Sequence, residues 1–183
     1  EKKTFSDAMD ELSPRLALLQ RQCKAEKIPI SIVFEGFDAA GKGNLINQLI
    51  GPMDPRGFEV HTTKVETLEE KRHPFLWRFW TRLPEYGRIS IFDHSWYRRV
   101  LIDRFEGQVP EANLAPAYEE INNFERQLTD DGMVIVKFFL AISKEEQEKR
   151  MKKLKSSPKT SWRVSKEALR RNKHYEEYLL MVE

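Results

Sequence analysis

The apolar stretch Ile30-Ser31-Ile32-Val33-Phe34 runs into Gly36-Phe37-Asp38-Ala39-Ala40-Gly41-Lys42-Gly43, and a helical pattern follows at once. Buried strand, glycine-rich turn, then helix is an order few folds accommodate. The octapeptide matches G-x-x-x-x-G-K. Glycines let the amides of Gly36, Ala39, Ala40, Gly41 and Gly43 converge on phosphate oxygens. A helix N-terminus adds positive potential, and Lys42 reaches further along the phosphate chain. The pattern therefore predicts a phosphate-binding loop.

The position after Lys42 is normally Ser or Thr, whose hydroxyl binds Mg²⁺; here it is Gly43. Asp38 in the loop and Asp93 after the next apolar run, Ile89-Ser90-Ile91-Phe92, are the carboxylates expected to hold Mg²⁺ instead. That substitution points away from GTPases and motor ATPases and toward an unusual kinase.

Segments of strand and helix pattern alternate along the chain. Ser13-Pro14 predicts a helix start, with Pro at the first helical position, running to about Lys27. Strands are predicted at Ile30–Phe34, Phe58–Thr63, Ile89–Phe92 and Met133–Ala141, the last apolar enough for burial on both faces. Helices are predicted from Pro74 through Leu83, from Trp96 to Phe105, and around Ala117, Ile121, Phe124 and Leu128. Ser143 and Glu146 form a capping box for the helix 144–155. That helix has almost no apolar face, so it is expected to project from the body. After Ser156-Ser157-Pro158, one amphipathic helix is predicted to carry Leu169, Tyr175, Tyr178 and Leu179.

Alternation of this kind predicts an α/β fold with a parallel sheet, and ligands at the carboxyl ends of its strands. The Gly36–Gly43 loop and Asp93 would then share one edge. Arg98, Arg99 and Arg104 follow Asp93 and are placed to stabilise phosphate charge. Arg78 and Arg82, four residues apart beside Trp77 and Trp80, are expected to line a phosphate channel, with the tryptophans in the core.

The 183 residues suit one domain, and 31 Lys+Arg against 29 Asp+Glu leave a net charge of +2, which argues against a nucleic-acid partner. No apolar run is long enough for a transmembrane helix. The single cysteine, Cys23, and the lack of a signal-peptide pattern lead to the expectation of a cytoplasmic protein without a membrane partner. The chain begins at Glu1 without an initiator Met, so a piece of a longer protein is expected.

Several stretches, taken together, resemble the polyphosphate kinase 2 family, relatives of the nucleotide monophosphate kinases. They are Phe34–Gly43, His73-Pro74-Phe75-Leu76-Trp77-Arg78, Ile91-Phe92-Asp93-His94-Ser95-Trp96-Tyr97, Asn123–Leu128 and Lys137–Gln147. The likeness runs in order from about residue 28 to 180. It implies a P-loop nucleoside-kinase-like three-layer α/β/α sandwich with a helical lid at about 144–164. The implied activity is phosphoryl transfer between inorganic polyphosphate and a nucleotide, AMP or ADP, with Mg²⁺. On the family's pattern Asp38, Lys42, Asp93, Arg99, Arg104 and Arg150 are catalytic, and Lys64 matches a lysine beyond the second strand.

The departures are His94, where the family usually has Arg, Leu154 in place of a second lid Arg, and Ser157 and Thr160 at the lid turn. These, with Met53–Phe58, resemble one half of the tandem two-domain members. That implies a tandem-domain or homo-oligomeric partner. Two other readings stay open: a weakly active or inactive phosphate-binding half, and an ATP-dependent small-molecule kinase.

Overall fold

The computed structural model describes Lys2–Val182, with side chains from Thr4 onward. Its sheet has four parallel strands, β1 (Ile30–Gly36), β2 (Phe58–Thr62), β3 (Ile89–Asp93) and β4 (Val134–Leu140), in the order β2-β3-β1-β4. One face packs Ile46 and Met53 against Ile32, Phe34, Ile89 and Ile91, beneath α2 (Lys42–Ile50). The other carries Val33, Phe92, Phe79, Trp96 and the buried face of α5 (Leu114–Asp130). Apolar side chains on both faces give the three-layer α/β/α arrangement the sequence implied.

The α5 pattern held in full. Ala117, Ile121, Phe124 and Leu128 are all buried, and Gly132 follows at φ +87°, where a side chain would be strained. Burying each large side chain contributes about 1.5–3 kcal/mol.

Other elements differ from expectation for local reasons. α1 spans Lys2–Ala25, so Ser13-Pro14 lies inside a helix and does not open one. The Ser13 hydroxyl donates back to the Met9 carbonyl at 2.6 Å, a bond helices tolerate, and Pro14 sits on the exposed side where water replaces the missing donor. The segment after Pro74 forms only a short helix, α3 (Trp77–Trp80), since Pro84 has no N–H to offer the Trp80 carbonyl; the Arg82 carbonyl accepts instead from the Ser90 hydroxyl at 2.9 Å. Trp80 is 45% exposed, yet packs edge-on against Phe124. Trp96–Arg99 is a 3₁₀ turn capped by Ser95, and the α-helix α4 is confined to Ile102–Phe105.

β4 departs most. It pairs with β1 alone, and Val134, Phe138 and Phe139 are each more than 40% exposed. It is an edge strand of this sheet, whereas β1 is buried along almost its whole length. The lid helix α6 (Lys144–Lys155) begins with the expected cap, as Glu146 N–H donates to the Ser143 hydroxyl at 3.2 Å. It does not project freely, since Gln147 and Met151, one turn apart, are buried. The final helix is interrupted at His174 into α7 (Lys166–Lys173) and α8 (Tyr175–Val182).

Candidate active site

Parallel pairing aligns Phe34 with Asp93 and Gly36 with Leu140, so the phosphate loop and Asp93 emerge from adjacent strand ends. The loop is held by geometry only certain residues accept. Gly36 has φ +131°, and a Cβ there would lie 2.3 Å from the Leu140 carbonyl oxygen. Gly41 has φ +109° just before α2, and Ala39 also sits in the left-handed region at φ +58°. Gly43 is different: nothing lies within 4 Å of a Cβ built there, so the missing hydroxyl is not excluded by crowding.

Lys42 Nζ donates to the carbonyls of Gly36 at 2.9 Å and Phe37 at 3.2 Å. Burial pushes its ammonium pKa down, against the opposing pull of Asp38, Asp93 and Glu35. Asp38 lies beside it. Burial works to raise the Asp38 carboxyl, but the hydrogen bonds and charge of Arg171, with Lys42 and His94 nearby, hold it below the usual range. Arg171 comes from α7, where no signal in the sequence marked it.

Asp93 is the contrasting carboxylate. Its Oδ1 is buried with no hydrogen-bond partner, as is the hydroxyl of Thr63, whose N–H donates to the Asp93 carbonyl at 2.9 Å. Unpaired buried oxygens carry a cost that a cation or a bound polar ligand relieves. They are the hard donors Mg²⁺ prefers, although among the described residues no group of three or more acidic, His or Cys side chains gathers around a metal position. A Mg²⁺ held by one carboxylate would be completed by substrate phosphates and water, its usual manner of binding.

Beneath the loop, buried Glu35 accepts from Ser95 N–H at 2.7 Å and the Ser95 hydroxyl at 2.9 Å, and its Oε2 meets His94 Nδ1 at 2.8 Å. Desolvation works to raise the Glu35 carboxyl, but the His94 bond and charge and the two Ser95 bonds outweigh it and hold the carboxyl low. His94, at φ +59°, thus fixes the turn after Asp93 by binding a carboxylate of the neighbouring strand.

The cations the sequence placed at the site divide into two groups. Arg150 reaches it from α6, donating to the Ala40 carbonyl at 3.0 Å and to Glu146 at 2.7 Å. Arg99 lies over the Phe75 ring at 4.7 Å, with a buried, unpartnered Nε. Arg78 is locked in the interior, 3.3 Å from Glu70 and donating to the Lys64 carbonyl at 3.0 Å, and Arg82 joins Glu70 at 2.8 Å. These two thus brace the chain after β2. Arg98 pairs with Asp103 at 3.0 Å, and Arg104 lies 4.0 Å from Glu111. The Lys64 side chain is exposed.

A second network was not visible in the sequence. Glu125 on α5 accepts from Trp96 Nε1, the Tyr97 hydroxyl and Lys137 at 2.7–2.9 Å, tying α5, the turn after Asp93 and β4 together.

All 183 residues match Polyphosphate kinase 2 (PPK2). The chain belongs to the polyphosphate kinase 2 family. Among its relatives are the polyphosphate:AMP phosphotransferases of Pseudomonas aeruginosa, 37% identical over 98% of this chain, and of Acinetobacter johnsonii, 39% identical over 98%. The chain spans only 36% and 37% of the length of these two relatives. A crystal structure of Polyphosphate Kinase 2 from Arthrobacter aurescens superposes with a TM-score of 0.89 at 36% identity, covering 95% of this chain and 63% of that one. The P-loop kinase-like fold expected for a polyphosphate kinase 2 is therefore the fold observed. No helix among the described residues is long and apolar enough to cross a membrane.

Proposed function

We propose that this domain transfers phosphoryl groups between inorganic polyphosphate and AMP or ADP with Mg²⁺, by in-line displacement. The observation that carries the reading is the juxtaposition, at neighbouring strand ends, of Lys42 in a G-x-x-x-x-G-K loop with the unpartnered oxygen of Asp93. Membership of the family, and relatives named for polyphosphate and AMP, supply the substrate class.

In this reading the loop amides and Lys42 hold the phosphate chain. Lys42 exchanges the Gly36 and Phe37 carbonyls for phosphate oxygens, whose negative charge favours the ammonium that burial disfavours. Of the two carboxylates in the loop region, Asp93 has the free oxygen for Mg²⁺. A Mg²⁺ held at Asp93 would supply neutralisation of phosphate charge. Arg150, which reaches the loop from α6, with Arg99 and Arg104, would stabilise charge spread over the transferring group. A phosphate acceptor with a second pKa of about 6 is largely ionised at neutral pH, so positioning matters more than a general base.

A second reading, a domain that binds polyphosphate without turning it over, is favoured by one observation: both Asp38 oxygens are held by Arg171. Incubating the chain with Mg²⁺, polyphosphate and AMP or ADP decides between them. Appearance of ADP or ATP supports transfer, whereas retained polyphosphate without product supports the binding-only domain.

A further inference from the structure

Arg171 and Gln147 fasten the segment 144–173 to the phosphate loop at Asp38. Arg171 Nε donates to Asp38 Oδ2 at 2.7 Å and Nη2 to Oδ1 at 3.0 Å, a two-pronged pair. Its remaining nitrogen, Nη1, reaches Glu106 at 3.2 Å, which also receives Arg170 at 2.9 Å. Gln147, 1% exposed, donates to the Asp38 carbonyl at 3.0 Å and accepts from Asn172 at 2.8 Å. The carbonyl and the carboxylate of Asp38 are therefore both bound to this segment. A planar guanidinium matched to a carboxylate in this way is among the stronger polar pairings in proteins. A cation at Asp38 would have to break it and would sit against Arg171, whereas Asp93 Oδ1 has no bond to lose.

We propose that Asp38 and Arg171 form a clasp that holds the lid on the phosphate loop, and that Asp38 acts through Arg171 and not as a ligand of the divalent cation. The inference rests on the reading above that a cation is held at Asp93. Arg171 is then a positioning residue. It sets where α6, and with it Arg150, lies relative to the loop.

Two readouts on the intact chain test this. Mn²⁺ binding in the presence of ADP, followed by the electron paramagnetic resonance of the protein-bound ion, should weaken at least tenfold in Asp93→Asn and stay within twofold of the parent in Asp38→Asn. Hydrogen exchange across 144–173 should rise in Asp38→Asn and in Arg171→Gln, and the double variant should rise no further than the larger single effect. An Asp38→Asn loss of Mn²⁺ affinity equal to that of Asp93→Asn overturns the proposal. So do exchange effects that simply add in the double variant. An unchanged affinity in Asp93→Asn sinks the metal reading instead, and hydrogen exchange then decides the clasp alone.

Discussion

After β1, the carbonyls of Gly36, Phe37, Asp38, Ala39 and Ala40 all receive donors from Lys42, Gln147 or Arg150, and the Asp38 carboxylate receives Arg171. At the end of β3, Asp93 Oδ1 is buried without a partner, as is the hydroxyl of Thr63 just past the neighbouring β2. These two strand ends lie side by side in one register, so neither burial nor neighbourhood accounts for the contrast. What separates them is division of labour. The bonds within the chain hold the loop against the lid, whereas the proposed function assigns the unsatisfied oxygens beside it to a bound ligand.

Substitutions on the two sides should therefore fail in different ways. The largest effect is expected for Lys42→Ala, which removes the one side chain that must change partners: transfer to AMP or ADP should fall by about a thousandfold or more, measured by product formation. A near-normal rate would remove the loop from the chemistry. Asp93→Asn should cost roughly a hundred- to a thousandfold in rate. Its melting temperature should change little, because Asp93 Oδ1 has no hydrogen bond to lose and only the pull of its charge on Lys42 is given up. A clear fall in melting temperature would erase the contrast.

Glu35→Gln belongs to the self-satisfied side and should act on stability, by about 1–3 kcal/mol at neutral pH. Because the Glu35 carboxyl is held below its ordinary value of 4.5, its contribution is fully present above that pH and is lost as pH falls through the lowered value. Denaturant unfolding should show the gap between parent and variant closing below pH 4.5. A gap that persists in strong acid would mean the bonds to His94 and Ser95 do not depend on the carboxylate charge. The smallest effect is Gly43→Ser. With open space at that position of α2, it should stabilise the chain by about 0.3–0.5 kcal/mol through helix propensity. Destabilisation would show that a side chain at this position meets the loop.

What could be read in the sequence follows the same division. The strand Ile30–Phe34, the loop Gly36–Gly43 and the face Ala117–Leu128 are written in spacings of a few residues, and each emerged as expected. The place of Asp93 at a strand end beside the loop was legible because it closes an apolar strand, Ile89–Phe92, downstream of such a loop. Arg171 was missed because its partner is 133 residues away in the chain, and nothing around α7 distinguishes it from the neighbouring Arg170. Thr63 was missed since an unsatisfied hydroxyl has no sequence signature. β4 misled for a related reason. Its apolar run, Val134–Leu140, matches β1 in length and character, and only the absence of a second neighbour in the strand order exposes it. Pro14 shows the same limit in a helix, where a single exposed face rescued a residue that usually marks a start.

The contact at Gly36 has a mechanical consequence. Its backbone presses so closely on Leu140 that no side chain fits between them, and Phe37 N–H bonds the Leu140 carbonyl at 3.0 Å. Leu140 is the last residue of β4, three residues before the cap of α6. The root of the lid is thus pinned to the root of the loop, as a lever is pinned at its fulcrum. Any swing of the lid pivots beyond Leu140, so the arm carrying Arg150 can travel while the bearing beneath the phosphates stays still.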